Sequence, residues 1–139
     1  MPNTFHANGD QSRSGKSTFT YRPFTLEGNF AFAAAVQEML LQSHTGTVII
    51  FPAIPDTWKD VSFEHLRAMG GFLISAKLSN GKIQEAEIKA EQSGVCRIML
   101  TDKWEWHKMK VKGSNKTIDC KDNVITVSLE KGEAIYFCR

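Results

Sequence analysis

The sequence predicts a mainly β protein, an antiparallel β-sandwich preceded by one α-helix of the buried type. From Thr47 onward, apolar residues recur with period two in short segments separated by turn-forming pairs such as Asn80-Gly81 and Lys131-Gly132. Roughly seven or eight such segments follow one another with no helical stretch between them, the pattern of a sandwich. Upstream lies one Ala-rich apolar run with helix composition. At 139 residues, 42% apolar and 23% charged, with 10 Gly and 4 Pro, the chain is long enough to bury a core unaided. It lacks the composition of disorder or of a fibre.

Residues 1–20 read as a flexible polar arm, because Met1 to Thr18 hold too few apolar side chains to offset the entropy of ordering them. The arm ends in Gly15-Lys16-Ser17-Thr18, which resembles the end of a phosphate-binding loop. That motif needs four residues between its glycines, and here five separate Gly9 from Gly15. No strand precedes it and no helix opens after it, so nucleotide binding is excluded. Met1 to Thr18 also contain no apolar segment of the kind a signal peptide needs, so the protein is either cytoplasmic or begins upstream of this Met1.

Residues 21–46 hold the helix, expected from about Asn29 as N-cap to Ser43, with Gly46 just past its end. Phe30, Ala31, Phe32, Ala33, Ala34, Ala35 and Val36 make an apolar run that covers every side of about two turns. A helix lying on a domain surface keeps a polar face, so this one expects protein all round it. Its neighbours are then a missing domain or a second copy of the chain, unless Phe30 and Phe32 are wedged between the sheet and the arm.

Residues 47–139 form the β domain. Thr47 to Phe51 is a β-branched run closed by Pro52, and Pro55-Asp56 marks a turn before Trp58. Phe72, Ile74, Ala76 and Leu78 alternate with Leu73, Ser75, Lys77 and Ser79 up to Asn80-Gly81, a strong hairpin signal, and Ile83, Ala86 and Ile88 lie in the next strand. Further strands are expected at Val95 to Thr101, His107 to Lys112, around Thr117 to Cys120, Val124 to Leu129 and Ala134 to Cys138.

The net charge of +2 comes from scattered residues, which argues against a nucleic-acid partner. No segment approaches the ~18 uninterrupted apolar residues of a membrane helix, so no membrane partner is expected. Cys96, Cys120 and Cys138 fall in strands, lack C-x-x-C spacing and allow at most one disulfide. His6, His44, His65 and His107 have no metal-ligand spacing with one another or with the cysteines, so neither a metal nor a cofactor is implied.

Two constellations carry candidate chemistry. Trp104 and Trp106, two apart, would share one face of a strand and offer a sugar-stacking platform, the basis of a stand-alone carbohydrate-binding or interaction module. The competing reading, that they anchor a hairpin or pack on a neighbouring domain, is favoured because Trp is usually largely buried. Glu64, Glu85, Glu87, Glu91, Glu105, Glu130 and Glu133 read mostly as solvated faces. Glu27 differs, since it lies just before the apolar helix, where its carboxylate either serves a site or complements the helix dipole.

Four blocks occur in order: Arg22 to Phe30, Glu38 to His44, Phe51-Pro52-Ala53-Ile54-Pro55-Asp56-Thr57-Trp58, and Leu66 to Phe72. In these the chain resembles the C-terminal end of glycoside hydrolase family 95, the α-L-fucosidase family, well over Tyr21 to Ile88 and in outline beyond. The resemblance implies that the helix is the last of an (α/α)6 barrel, truncated here, and that the strands are the domain following it. It also implies an inverting mechanism on α-L-fucosides or a related sugar, and a secreted or periplasmic parent. In that family a barrel Glu is the general acid, and water is activated through two Asn residues supported by an Asp. The Asp lies in an I-D-G-N-F motif that matches Leu26-Glu27-Gly28-Asn29-Phe30, so Glu27 takes the catalytic place, and a sugar-contacting His matches Tyr21. Both are departures, as is Ala31 for the family's second glycine. Glu carries one methylene more than Asp, and a misplacement of about 1 Å can cost ~10²-fold in rate. The general acid and the Asn pair have no counterpart in these residues, so the isolated chain is expected to be inactive.

Overall fold

A computed structural model describes the backbone of residues 26–113 and 118–139, with side chains from Phe30 onward. Its chain divides into two compact units, Met1–Gln37 and Glu38–Arg139. The described part of the first unit is helical and belongs to α1, Leu26–Leu40. The helix starts three residues before the expected cap, so Asn29 lies inside it and Glu27 in its first turn. The Ala-rich run that follows propagates the helix backward over Gly28 and Asn29, each of which costs about 1 kcal/mol or less relative to Ala. Phe30 and Phe32 are 65% and 69% exposed.

The helix also ends earlier than expected. After Leu40 the chain enters β1 (Leu41–Gln42), which turns through Thr45-Gly46 and pairs antiparallel with β2 (Val48–Ile50), Leu41 opposite Ile50. Leu41 is 7% exposed, and burying it outweighs one more helical turn. Gly46 therefore serves a hairpin, its N–H donating to the Ser43 carbonyl at 3.1 Å, and not a helix cap. The Leu40 carbonyl accepts from Phe51 N–H at 2.8 Å, which holds Phe51 at a left-handed φ of 54°. A bulky residue adopts that conformation only where its surroundings fix it. Phe51 is fully buried and meets Phe63 edge-on, ring centroids 5.2 Å apart.

The remaining strands are β3 (Val61–Ala68), β4 (Phe72–Ser79), β5 (Lys82–Ala90), β6 (Gly94–Met99), β7 (Lys110–Lys112), β8 (Asp119–Lys121), β9 (Val124–Leu129) and β10 (Ala134–Cys138). They form two five-stranded sheets, ordered β1-β2-β6-β9-β8 and β3-β4-β5-β10-β7. Among the described residues all pairings are antiparallel except β2 with β6, which run parallel. Both sheets send apolar residues into one core, where Ile50, Ile74, Ile83, Ile88, Ile98, Ile125 and Ile135 have no exposed surface. The fold is thus mainly β, with one helix ahead of the strands.

Local sequence explains most of this. Phe72, Ile74, Ala76 and Leu78 are all buried and their odd-numbered neighbours face outward, as the alternation predicts. Asn80 and Gly81 take φ values of 51° and 72°, the two positive angles of a type I′ hairpin turn. The buried set then changes parity, from Ile83 to Ala86 and Ile88, because the β4–β5 register shifts between Lys77 and Leu78.

Strand β3 is absent from the expected elements, and a second irregularity is the cause. His65 sits at φ 54° in a bulge between Phe63 and Leu66, and its N–H donates to the Ser75 hydroxyl at 3.2 Å. The extra residue breaks the period-two pattern on which a strand is read. The expected strand from His107 to Lys112 is likewise a 3-10 turn, Trp106–Lys108, followed by the short β7.

Candidate functional site

The two residues expected to serve a sugar site lie at the limit of what the structure describes. Tyr21 is outside the described residues, and Glu27 is described only as a backbone position in the first turn of α1. Neither can be placed against another side chain.

The tryptophan pair is fully described. Residues 101–109 are not a strand but a succession of turns, closed by Trp104 N–H to Thr101 O at 3.0 Å, Lys108 N–H to Glu105 O at 2.8 Å and Met109 N–H to Trp106 O at 3.0 Å. The segment is tied to β5 by Ile83 N–H on Lys103 O at 2.9 Å and by Lys82 Nζ on Asp102 O at 2.7 Å. Glu105 receives Lys108 Nζ and an Arg139 guanidinium nitrogen, each at 2.7 Å, and the Lys108 bond first, with the Arg139 charge, holds its carboxyl below the usual range. So anchored, Trp104 is 7% exposed and packs on Phe137, and Trp106 packs half-buried on the same ring. They do not share an open strand face. The turn geometry of 101–109 replaces the period of two on which the stacking platform depended, and both indoles pack on Phe137 instead. Trp104 Nε1 is buried without a hydrogen-bond partner among the described residues.

A concave site does exist, on the outward face of the β3-β4-β5-β10-β7 sheet. It is a cavity of about 610 Å³ centred on β5 and β10. Tyr136, 43% exposed, lies opposite Glu87 of β5 and Lys112 of β7. Its hydroxyl donates to the Glu87 carboxylate, which raises the phenol above its ordinary value. Next to this row, Lys77 lies opposite Ser62 and Glu85. The signal was available in the sequence: in Ala134-Ile135-Tyr136-Phe137-Cys138, a period of two with Ile135 and Phe137 inward leaves Tyr136 outward.

Three further features are structural. Asp60 Oδ1 accepts from the Ser79 hydroxyl at 2.5 Å and from Asn80 N–H at 3.3 Å, which holds its carboxyl below the usual range and fixes the β4–β5 turn against β3. Arg67 pairs with Glu91 at the far end of the same strands. Cys96, Cys120 and Cys138 are free thiols; Cys96 is buried and Cys120 exposed. Among the described residues no cluster of His, Cys, Asp and Glu has the geometry of a metal site, and no helix is long and apolar enough to cross a membrane.

Two antiparallel-dominated sheets around one core, with one helix ahead of the strands, are the mainly β architecture that the strand periodicity predicts. The chain belongs to glycoside hydrolase family 95: the model of that family's C-terminal domain matches residues 42–137, about two thirds of the chain. Over 78 residues, 55% of its length, the chain is 42% identical to Alpha-L-fucosidase 2 of Arabidopsis thaliana. The match spans only 9% of that relative's length.

Proposed function

We propose that this chain is the C-terminal portion of an inverting α-L-fucosidase-like glycoside hydrolase, and that its β domain, residues 47–139, supports a helical barrel without itself cleaving sugars. The observation that carries this reading is the family match over residues 42–137, joined to a helix whose Phe30 and Phe32 stand exposed on an apolar run. A helix of that kind is suited to the interior of a larger helical array, and the short share of the relative that is matched leaves room for one. In the assembled enzyme Glu27 orients or activates the attacking water in place of the family's Asp, and Tyr21 lines the sugar site. Inversion asks for an acid and a base roughly 6.5–9.5 Å apart on opposite faces of the sugar, and of these groups this chain supplies only Glu27, in the place of the Asp that supports the water-activating Asn pair.

The test is sugar release from 4-nitrophenyl α-L-fucoside and α-L-galactoside. The 139-residue chain is expected to release none, whereas a polypeptide that also carries the barrel is expected to act and to lose at least about 10²-fold in kcat on Glu27→Gln. Turnover by the chain alone overturns the supporting role of the domain. Full activity of Glu27→Gln in the longer polypeptide overturns the assignment of Glu27.

A further inference from the structure

The outward cavity of the second sheet is built from two adjacent cross-strand rows. One runs Ser75, Glu87, Tyr136, Lys112, and the other Ser62, Lys77, Glu85, Cys138, each residue directly opposite the next. Each row crosses four strands, roughly 14 Å at the usual ~4.8 Å spacing. The volume of about 610 Å³ falls within the range of about 300–1,000 Å³ typical of small-molecule sites.

The chemistry of these rows selects among ligands. Positive and negative groups alternate, so the surface has no field of one sign and is unsuited to a polyanion. Lys and Glu are depleted at the centres of protein interfaces, which argues against a docked protein. Among the described residues, Lys77, Glu64 and Glu85 have no side-chain hydrogen bond or ion pair. Their donors and acceptors therefore remain available around one aromatic ring, and hydroxyl groups can use both kinds at once.

The ring itself is held in place. It lies directly opposite Glu87 of β5, and its flank lies against Gly113, where even a Cβ would stand 3.0 Å from Tyr136 Cδ2. An aromatic face that is fixed before binding loses little freedom when a ligand stacks on it.

We infer that this face is a non-catalytic binding platform for a neutral oligosaccharide, with Tyr136 as the stacking residue and Lys77, Glu85 and Glu87 as hydrogen-bonding groups. Its residues are other than Glu27 and Tyr21, and it concerns binding and not turnover. A loss of hydrolysis on Glu27→Gln leaves it untouched.

The experiment is a titration of the isotope-labelled 139-residue chain with 2′-fucosyllactose, cellotetraose and a sulfated oligosaccharide of similar length, followed by backbone amide shifts. Saturable shifts confined to β4, β5 and β10 are expected with at least one neutral probe. Tyr136→Ala is expected to weaken binding by about tenfold or more, and Tyr136→Phe, which keeps the ring, by less. Glu85→Gln provides a second variant that leaves the ring in place, and it too is expected to weaken binding. The inference is overturned by the absence of saturable shifts with either neutral probe, by tighter binding of the sulfated one, or by shifts that map to the other sheet. Shifts in these strands that depend on protein concentration alone would assign the face to self-contact instead.

Discussion

Trp104 meets Phe137 edge-on, ring centroids 5.9 Å apart and planes at 90°, and Trp106 approaches the same ring from 5.8 Å. Phe137 is 1% exposed and sits on β10, so this one ring joins the turns of residues 101–109 to the inner face of the second sheet. Phe137→Ala removes a fully buried ring and leaves both indoles without support, at an expected cost of ~3–5 kcal/mol. Urea unfolding followed by tryptophan emission measures it. A loss below about 1 kcal/mol would mean that the indoles are packed by something else.

Gly113 lies at φ 89°, and a Cβ there would stand 2.7 Å from the Ala134 carbonyl oxygen as well as against Tyr136. Gly113→Ala combines a strained backbone angle with a backbone clash, and is expected to destabilise by about 1–3 kcal/mol. Gly132→Ala has a similar φ of 87° with no atom within 4 Å. The difference between the two melting temperatures isolates the clash, and equal temperatures would show that it is relieved for free.

Burial pushes the Cys96 thiol up to about 12, from an ordinary value near 9. The folded protein thus disfavours the thiolate, so this contribution to stability is complete below about pH 9 and is lost as pH rises toward 12. A Cys96→Ala variant is expected to be less stable at neutral pH but to lose less between pH 9 and 11, by an amount on the order of a kcal/mol or more. In labelling with a thiol reagent at pH 8, exposed Cys120 reacts first and Cys96 only on unfolding. Early labelling of Cys96 would show that the core opens locally.

Phe30 and Phe32 expose two large rings on one short helical stretch. In the 139-residue chain such a surface is expected to drive self-association. Phe30→Asp should lower the weight-average mass in sedimentation equilibrium while amide dispersion from the β strands is unchanged. Loss of all dispersion would instead make Phe30 part of the β domain's own core.

How far the sequence could be read depended on where regular periods hold. The β4–β5 hairpin was legible residue by residue, because Phe72 to Leu78 alternate without interruption and Asn80-Gly81 allow one turn type. Strand β3 was not, because His65 adds a residue in mid-strand and shifts Leu66 and Ala68 to the opposite parity. The helix was legible in kind but not in extent, since its C-terminal end is set by Leu41 pairing with Ile50 and not by the glycine cap the sequence suggests. The less favoured reading of the tryptophan pair, a stacking platform, fails for a related reason: a spacing of two places side chains on one face only if the backbone is extended, and at Trp106 it is not. The Tyr136 platform depends on register across four strands, which no single segment encodes, although the outward position of Tyr136 itself can be read from β10.

The ends of the two sheets have a consequence for how the protein fails. The first is bounded by β1 and β8, of two and three residues, and the second by the three-residue β7 and the bulged β3. Borders so short or so kinked give an incoming strand almost no ladder to extend. Growth into cross-β fibrils from the native state therefore has no ready template, and precipitates of this chain should be amorphous, dispersed by mild detergent and silent to amyloid dyes.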